Sequence, residues 1–226
     1  MRRQQTATAA LACLALCLVC ATSLRATTIH SNVSGATVNF TGISEGSPSG
    51  DPEPLYGQPN AVGDTLVFPT TSNFAASSLD GAASDQTDGK LTLTMEAKAG
   101  YTLTSLNISE GGLTTLNAPF GGNAFTQVVG FAVVKVLEID NLPVVLPAVQ
   151  SFMSFSPLSG QYLLSSIGGS SYSTGWTGTL TSLFPAGTTK ALITLNNNLF
   201  AASMGNGTRA FIDKKAFEID IETELV

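Results

Sequence analysis

The run from Leu199 to Glu222, L-F-A-A-S-M-G-N-G-T-R-A-F-I-D-K-K-A-F-E-I-D-I-E, restricts the fold more than any other part of the chain. Asn206-Gly207 stands between two β-capable runs, and that pair takes the positive φ angles of a tight hairpin turn with little steric strain. Beyond it Phe217, Ile219 and Ile221 alternate with Glu218, Asp220 and Glu222. In an extended backbone this puts three apolar side chains on one face and three carboxylates on the other. A strand with one dry and one wet face belongs to an antiparallel sheet laid over a second layer. The expectation is an all-β fold, an antiparallel β-sandwich of jelly-roll type, with a hairpin at Asn206-Gly207.

Other segments repeat the pattern. Lys90 to Lys98 is apolar at odd positions and polar at even ones, which no helix face can satisfy. Ala99-Gly100 supplies a turn, and Tyr101 to Ile108 follows as its hairpin or corner partner. Gln127 to Leu137 is apolar on both parities, the mark of a strand buried at the centre. Shorter strands are expected at Ala36 to Thr41, Asp64 to Phe68 and Thr188 to Leu195, for a total of roughly ten. Between them, Gly46 to Pro54 holds three prolines and reads as a loop or lid, and Ser77 to Gly89 reads as a second loop.

The first residues belong to a different kind of segment. Arg2 and Arg3 precede a short apolar run, Ala9 to Val19, with small residues at Ala21, Ser23 and Ala26 after it. Residues 1–26 therefore read as a secretory signal peptide and 27–226 as a single β-sandwich domain. Cys13, Cys17 and Cys20 all fall inside the leader, so the mature chain has no thiol and depends on its core. Without Arg2 and Arg3 the chain has 8 basic against 16 acidic residues, a balance of −8 that becomes −9 once Arg25 leaves with the leader, and this disfavours nucleic acid and anionic lipid as partners. No later apolar run is long enough to span a bilayer. The expected location is secreted, extracellular.

Few residues offer chemistry. Gly42 to Gly46 matches G-x-S-x-G, but that nucleophile needs a strand-turn-helix setting and a histidine further along the chain. The one histidine, His30, lies upstream and is expected at the surface of a loose terminus. Asp80, Asp85 and Asp88 are close enough in sequence to converge on Ca2+, although Asp-Gly pairs are also ordinary turn formers. Glu218, Asp220 and Glu222 share one strand face, whereas a glycosidase needs its acids across a cleft. Tyr172 and Trp176 share a strand face and could stack on sugar rings, with burial the competing fate for tryptophan.

The stretches Ser77 to Asp85, Lys90 to Leu93, Gly100 to Gly112 and Ala210 to Ile219 resemble exported bacterial proteins of the PEP-CTERM group. The likeness covers about Val38 to Thr223. It implies a Gram-negative envelope or matrix protein associated with exopolysaccharide, and carries over no catalytic residue. The family's C-terminal tag, Pro-Glu-Pro followed by an apolar span and a basic tail, is not matched at Glu224-Leu225-Val226, and Pro52-Glu53-Pro54 is followed by no such span. Together these readings point to a secreted, non-enzymatic structural or adhesive protein of the extracellular or envelope matrix, with polysaccharide or other envelope proteins as partners. The alternative is a carbohydrate-binding module that uses Tyr172 and Trp176 beside a calcium-stabilised loop.

Overall fold

Alternating side chains become alternating burial along the long strands Asp85–Ala97, Asn123–Ile139 and Thr188–Met204. A computed structural model describes residues 27–226, so the expected signal peptide lies outside the described residues. The first strands are β1 (Thr28–Ile29), β2 (Val33–Ser34), β3 (Val38–Gly46), β4 (Asn60–Val62), β5 (Thr65–Phe68) and β6 (Ala75–Leu79). The long strands β7 (Asp85–Ala97), β8 (Tyr101–Asn117) and β9 (Asn123–Ile139) follow. Then come the short pieces β10 (Leu142–Pro143), β11 (Val149–Phe152), β12 (Ser154–Ser156) and β13 (Gln161–Leu163), with a 3-10 turn at Leu158–Gly160 and the one-turn helix α1 (Leu164–Ile167). The chain ends on β14 (Ser171–Leu183), β15 (Thr188–Met204) and β16 (Arg209–Leu225).

Pairing is antiparallel throughout and nested. β5 pairs with β16, β7 with β15, β8 with β14, and β9 with β11 and β13. Rolling up this nested ribbon adds the contacts β16 to β8 and β15 to β9 and closes two sheets face to face. That is a jelly roll. One sheet runs β1-β3-β7-β15-β9-β10 and the other β12-β14-β8-β16-β5-β4. The described strands number sixteen instead of roughly ten, because two- to four-residue edge pieces such as β2, β10 and β11 are too short to show a period.

Asn206-Gly207 does reverse the chain, but it makes no hairpin. β15 is already flanked by β7 and β9, and β16 by β8 and β5, so the two strands lie in opposite sheets and the turn arches between them. Its positive φ angles fall on Gly205 (115°) and Gly207 (72°), not on Asn206. Ala99-Gly100 likewise makes a corner, with β7 and β8 in opposite sheets. The expected loop from Ser77 to Gly89 shrinks to residues 80–84, since β6 runs to Leu79 and β7 starts at Asp85. β7 extends that far because β15 continues opposite it, pairing Ala201 with Asp85, and Thr87 meets its inward hydroxyl by donating to Ala75 O at 2.7 Å.

The core takes Leu91, Leu93 and Met95 from β7, Leu106 and Ile108 from β8, Leu195 and Leu199 from β15, and Phe217, Ile219 and Ile221 from β16. Glu218 and Glu222 face outward, as the alternation requires. β9 departs from expectation. Ala124, Val128 and Ala132 point into the core, while Val129 and Phe131 lie on the outer face, where among the described residues no third layer covers them. The Phe152 ring of β11 packs beside that of Phe131 at 6.0 Å.

Candidate functional site

The aromatic pair proposed for sugar stacking points inward. Tyr172 and Trp176 share a face of β14, but Trp176 is 1% exposed, donates its Nε1–H to Asp213 O at 3.1 Å and sets its edge against Phe155. Burial removes it from any surface platform. Tyr172 is half-buried and walls an open groove of about 750 Å³ with Phe125, Pro157, Gln161 and Ile167. Behind it Tyr162 stacks on Tyr172 at 6.4 Å, fully buried, its hydroxyl without a partner among the described residues. Burial, helped by Tyr172, pushes the Tyr162 phenol up from 10.0 to about 12. Between those two values the unfolded chain has already released a proton that the folded chain keeps, so stability falls as pH rises through that window. Denaturation midpoints compared across it should decline, with phenolate absorbance from Tyr162 appearing only at its upper end.

Asp80, Asp85 and Asp88 do not converge. Asp80 accepts from Gly207 N–H at 2.9 Å, Asp85 from Ser77 N–H at 2.8 Å and Gln86 N–H at 3.0 Å, and Asp88 from the side chains of Gln86 and Asn198. Each carboxylate fixes a different turn or strand end. Among the described residues no three acids, histidines or cysteines gather to hold a metal ion.

The most unusual chemistry is in the interior, at three places where a polar residue interrupts an apolar stripe. Glu110 follows Leu106 and Ile108 on the inner face of β8, Lys214 follows Ala210 and Ile212 on β16, and Asn197 lies between Leu195 and Leu199 on β15. A bulge between Lys214 and Ala216 then shifts the phase of β16, so that Phe217 is inward again. Room for the cluster comes from glycine. Asn197 is flanked across the sheet by Gly89 and Gly130, Lys214 by Gly112, and Glu110 by Gly178. A Cβ at Gly89 would come within 2.6 Å of the Phe74 ring, and one at Gly178 within 3.0 Å of Glu110 Cγ.

Inside that space Lys214 Nζ pairs with Glu110 Oε2, both side chains having 0% exposure. The same Nζ donates to Asn197 Oδ1 at 2.6 Å, and Asn197 Nδ2 donates to Glu110 Oε1 at 3.1 Å. Tyr56, from the segment between β3 and β4, donates its hydroxyl to Asn197 Oδ1 at 3.0 Å. Aromatic rings close the rest, with Nζ 4.5 Å from the centre of Phe74 and 5.0 Å from that of Phe217. Burial pushes the Glu110 carboxyl up against the opposing pull of Lys214, and pushes the Lys214 amine down against that of Glu110. The Tyr56 phenol is also raised, by burial first and then by Glu110 and Glu45.

Tyr56 reaches the cluster because Glu45 holds its segment in place. Glu45 Oε2 accepts the N–H groups of Leu55 and Tyr56, both at 2.7 Å, and Oε1 accepts that of Gly57 at 3.1 Å. His30 Nε2 lies 2.6 Å from the same Oε1. Far from sitting on a loose terminus, His30 is held against this carboxylate with its side chain only 6% exposed. Glu53 adds a second clasp, accepting from Thr28 N–H at 3.0 Å and Ser47 N–H at 2.9 Å. The proline-rich stretch is a pinned lid. Ser44 lies within β3 with no helix behind it, so G-x-S-x-G forms no nucleophile turn.

On the outer face a groove of about 230 Å³ runs between Pro48 of the lid and Phe131 of β9, floored by Asp88, Asn196 and Asn198. Cross-strand register places Lys90, Asn196, Phe131 and Phe152 in one row, with Thr92, Thr194 and Val133 in the next. A third groove, about 270 Å³, is lined by Val134, Leu146, Val149, Leu183 and Phe184. Sequence reasoning missed the interior cluster although its signal was present: in each of three strands a polar residue occupies the parity of buried neighbours.

No family model matches the chain, and no curated protein does. Among solved structures it is similar to the enzymatically active domain of tailspike protein 4 from bacteriophage CBA120, with 12% identity, 87% of this chain covered and a TM-score of 0.26. The chain spans 19% of that tailspike chain. It is also similar to the infectious bursal disease virus Gt strain structure, with 12% identity, 88% of this chain and 64% of that chain covered, and a TM-score of 0.11. Among the described residues no helix is long and apolar enough to cross a membrane.

Proposed function

We propose that the protein is an exported, non-enzymatic β-sandwich that serves as a structural or adhesive component of an extracellular or envelope matrix, with polysaccharide as the partner. The observation that carries this reading is the outer face of β7, β15 and β9, where rows of amide, hydroxyl and aromatic side chains stand open beside the lid. Amides and hydroxyls exchange hydrogen bonds with sugar hydroxyls, while an exposed ring covers the C–H face of a pyranose. In the three grooves described a single carboxylate, Asp88, is found. Opposed acids of the kind that cleave glycosidic bonds would need a pair. Trp176 and calcium have no part in this proposal.

Co-sedimentation with a panel of neutral and acidic polysaccharides tests it. The protein should pellet with at least one of them, release no new reducing ends, and lose about tenfold in affinity when Phe131 and Asn196 are both changed to Ala, a difference of about 1.4 kcal/mol. New reducing ends would overturn the non-enzymatic reading. Absence of binding across the panel would overturn polysaccharide as partner.

A further inference from the structure

Lys214, Asn197 and Glu110 bring a primary amine, a carboxamide and a carboxyl group together in a space closed by Tyr56, Phe74 and Phe217. Amines do not attack carboxamides in water, because the amine is protonated, the amide is unreactive and the leaving nitrogen is a poor one. Each obstacle has a matching feature in this cluster. We propose that the folded protein joins Lys214 Nζ to Asn197 Cγ in an intramolecular isopeptide bond, with Glu110 carrying the protons and Tyr56 holding the developing oxyanion.

The protons and bonds balance without any oxidant or co-reactant. Lys214 first passes a proton to Glu110 Oε2, to which it is hydrogen-bonded. Burial favours that transfer, raising the carboxyl and lowering the amine towards their neutral forms. The free amine then attacks Cγ, the atom bonded to the Oδ1 that Nζ already touches at 2.6 Å. As the new C–N bond forms, the carbonyl π pair moves onto Oδ1, where the Tyr56 hydroxyl donates from 3.0 Å. The Glu110 carboxyl, whose Oε1 stands 3.1 Å from Nδ2, shifts its proton to that oxygen and delivers it to Nδ2 while Oε2 takes a second proton from Nζ. The pair on Oδ1 then re-forms the carbonyl, the Cγ–Nδ2 bond breaks and ammonia leaves. Of the three protons first on Nζ, one stays on the new amide, one departs with ammonia and one remains on Glu110. A buried ion pair is thereby exchanged for a neutral amide and a neutral acid, which suits side chains with no exposure.

Glu110 touches both the nucleophile and the leaving group, which distinguishes this arrangement from a simple buried salt bridge. The bond would tie β15 of one sheet to β16 of the other across 17 residues. In a mature chain expected to hold no disulfide, it is a covalent staple that reducing conditions leave intact.

Intact-mass spectrometry of the purified full chain, followed by tryptic mapping, decides the matter. The expected mass is lower than that of the sequence, after any leader removal, by one ammonia, about 17 Da. Trypsin should then yield a branched species in which residues 191–209 are joined to 210–215, because an acylated Lys214 is no longer cleaved. Glu110→Gln, which keeps the shape and removes the proton carrier, should restore the full mass and the separate peptides. An unaltered wild-type mass would overturn the proposal whether or not that variant folds. So would a linear 191–209 peptide lighter by ammonia, which would mark ring closure at Asn206-Gly207, or a loss of water linking Lys214 to Glu110. A branched species persisting in Glu110→Gln would overturn the role given to Glu110.

Discussion

Lys214→Met lowers the stability of the fold by at least about 3–5 kcal/mol, the range for removing one partner from a buried ion pair. The mutation keeps the apolar stem against Phe74 and Phe217 but strands Glu110, whose side chain has no exposure, with Asn197 as its remaining hydrogen-bond donor. Adding Glu110→Gln to the same chain removes the stranded charge while leaving an oxygen for Asn197 Nδ2, and should recover about 2 kcal/mol or more of the loss. Urea unfolding of the wild type, the single variant and the double variant reads both quantities. The double variant cannot restore a covalent Lys214–Asn197 link. For a closure of 17 residues, a cross-link contributes about 3 kcal/mol, so an unrecovered remainder of that size reports the bond separately from the charges. A single variant within 1 kcal/mol of wild type would mean that water reaches the pair.

Glu45→Ala detaches the lid. Three buried N–H groups, those of Leu55, Tyr56 and Gly57, lose their acceptor together with the His30 contact. At about 1–3 kcal/mol for each orphaned donor the fold should lose on the order of 4 kcal/mol, less whatever water recovers as the segment swings out. The loss should be local before it is global. Residues 47–59 would become sensitive to protease and to amide exchange, and Tyr56 would leave Asn197, so any isopeptide yield should fall with it. Unchanged exchange protection over 47–59 would show that Glu53 alone holds the lid.

The two-residue period of Lys90 to Lys98 and of Phe217 to Glu222 was enough to predict the sandwich, because one buried face per strand leaves the backbone no other packing. Hydrogen-bond partners were harder to read. The glycines around Asn206 tell the chain where to reverse but not whether β15 and β16 will bond or part, and that depends on β7, β8, β9 and β5 having already taken their edges. Phe131 looked buried because apolar side chains on both parities describe a covered strand equally well as one with an open apolar patch. Lys214 and Glu110 are 104 residues apart, so no local window joins them. Their trace was the wrong polarity at the right parity, which also marks Asn197 and could have been counted. His30 and Glu45 left no trace of that sort, since their meeting depends on β1 lying along β3.

β16, a strand of 17 residues, is an interior member of its sheet, bonded to β8 on one side and to β5 and β6 on the other. Until β16 is in place, the earlier strands have a slot down the middle and cannot complete their ladder. Such long-range closure makes assembly slow, because β5 and β16 meet only across 155 residues, as between Thr65 and Asp220. A polypeptide built to that order stays pliable until β16 slides home between its neighbours.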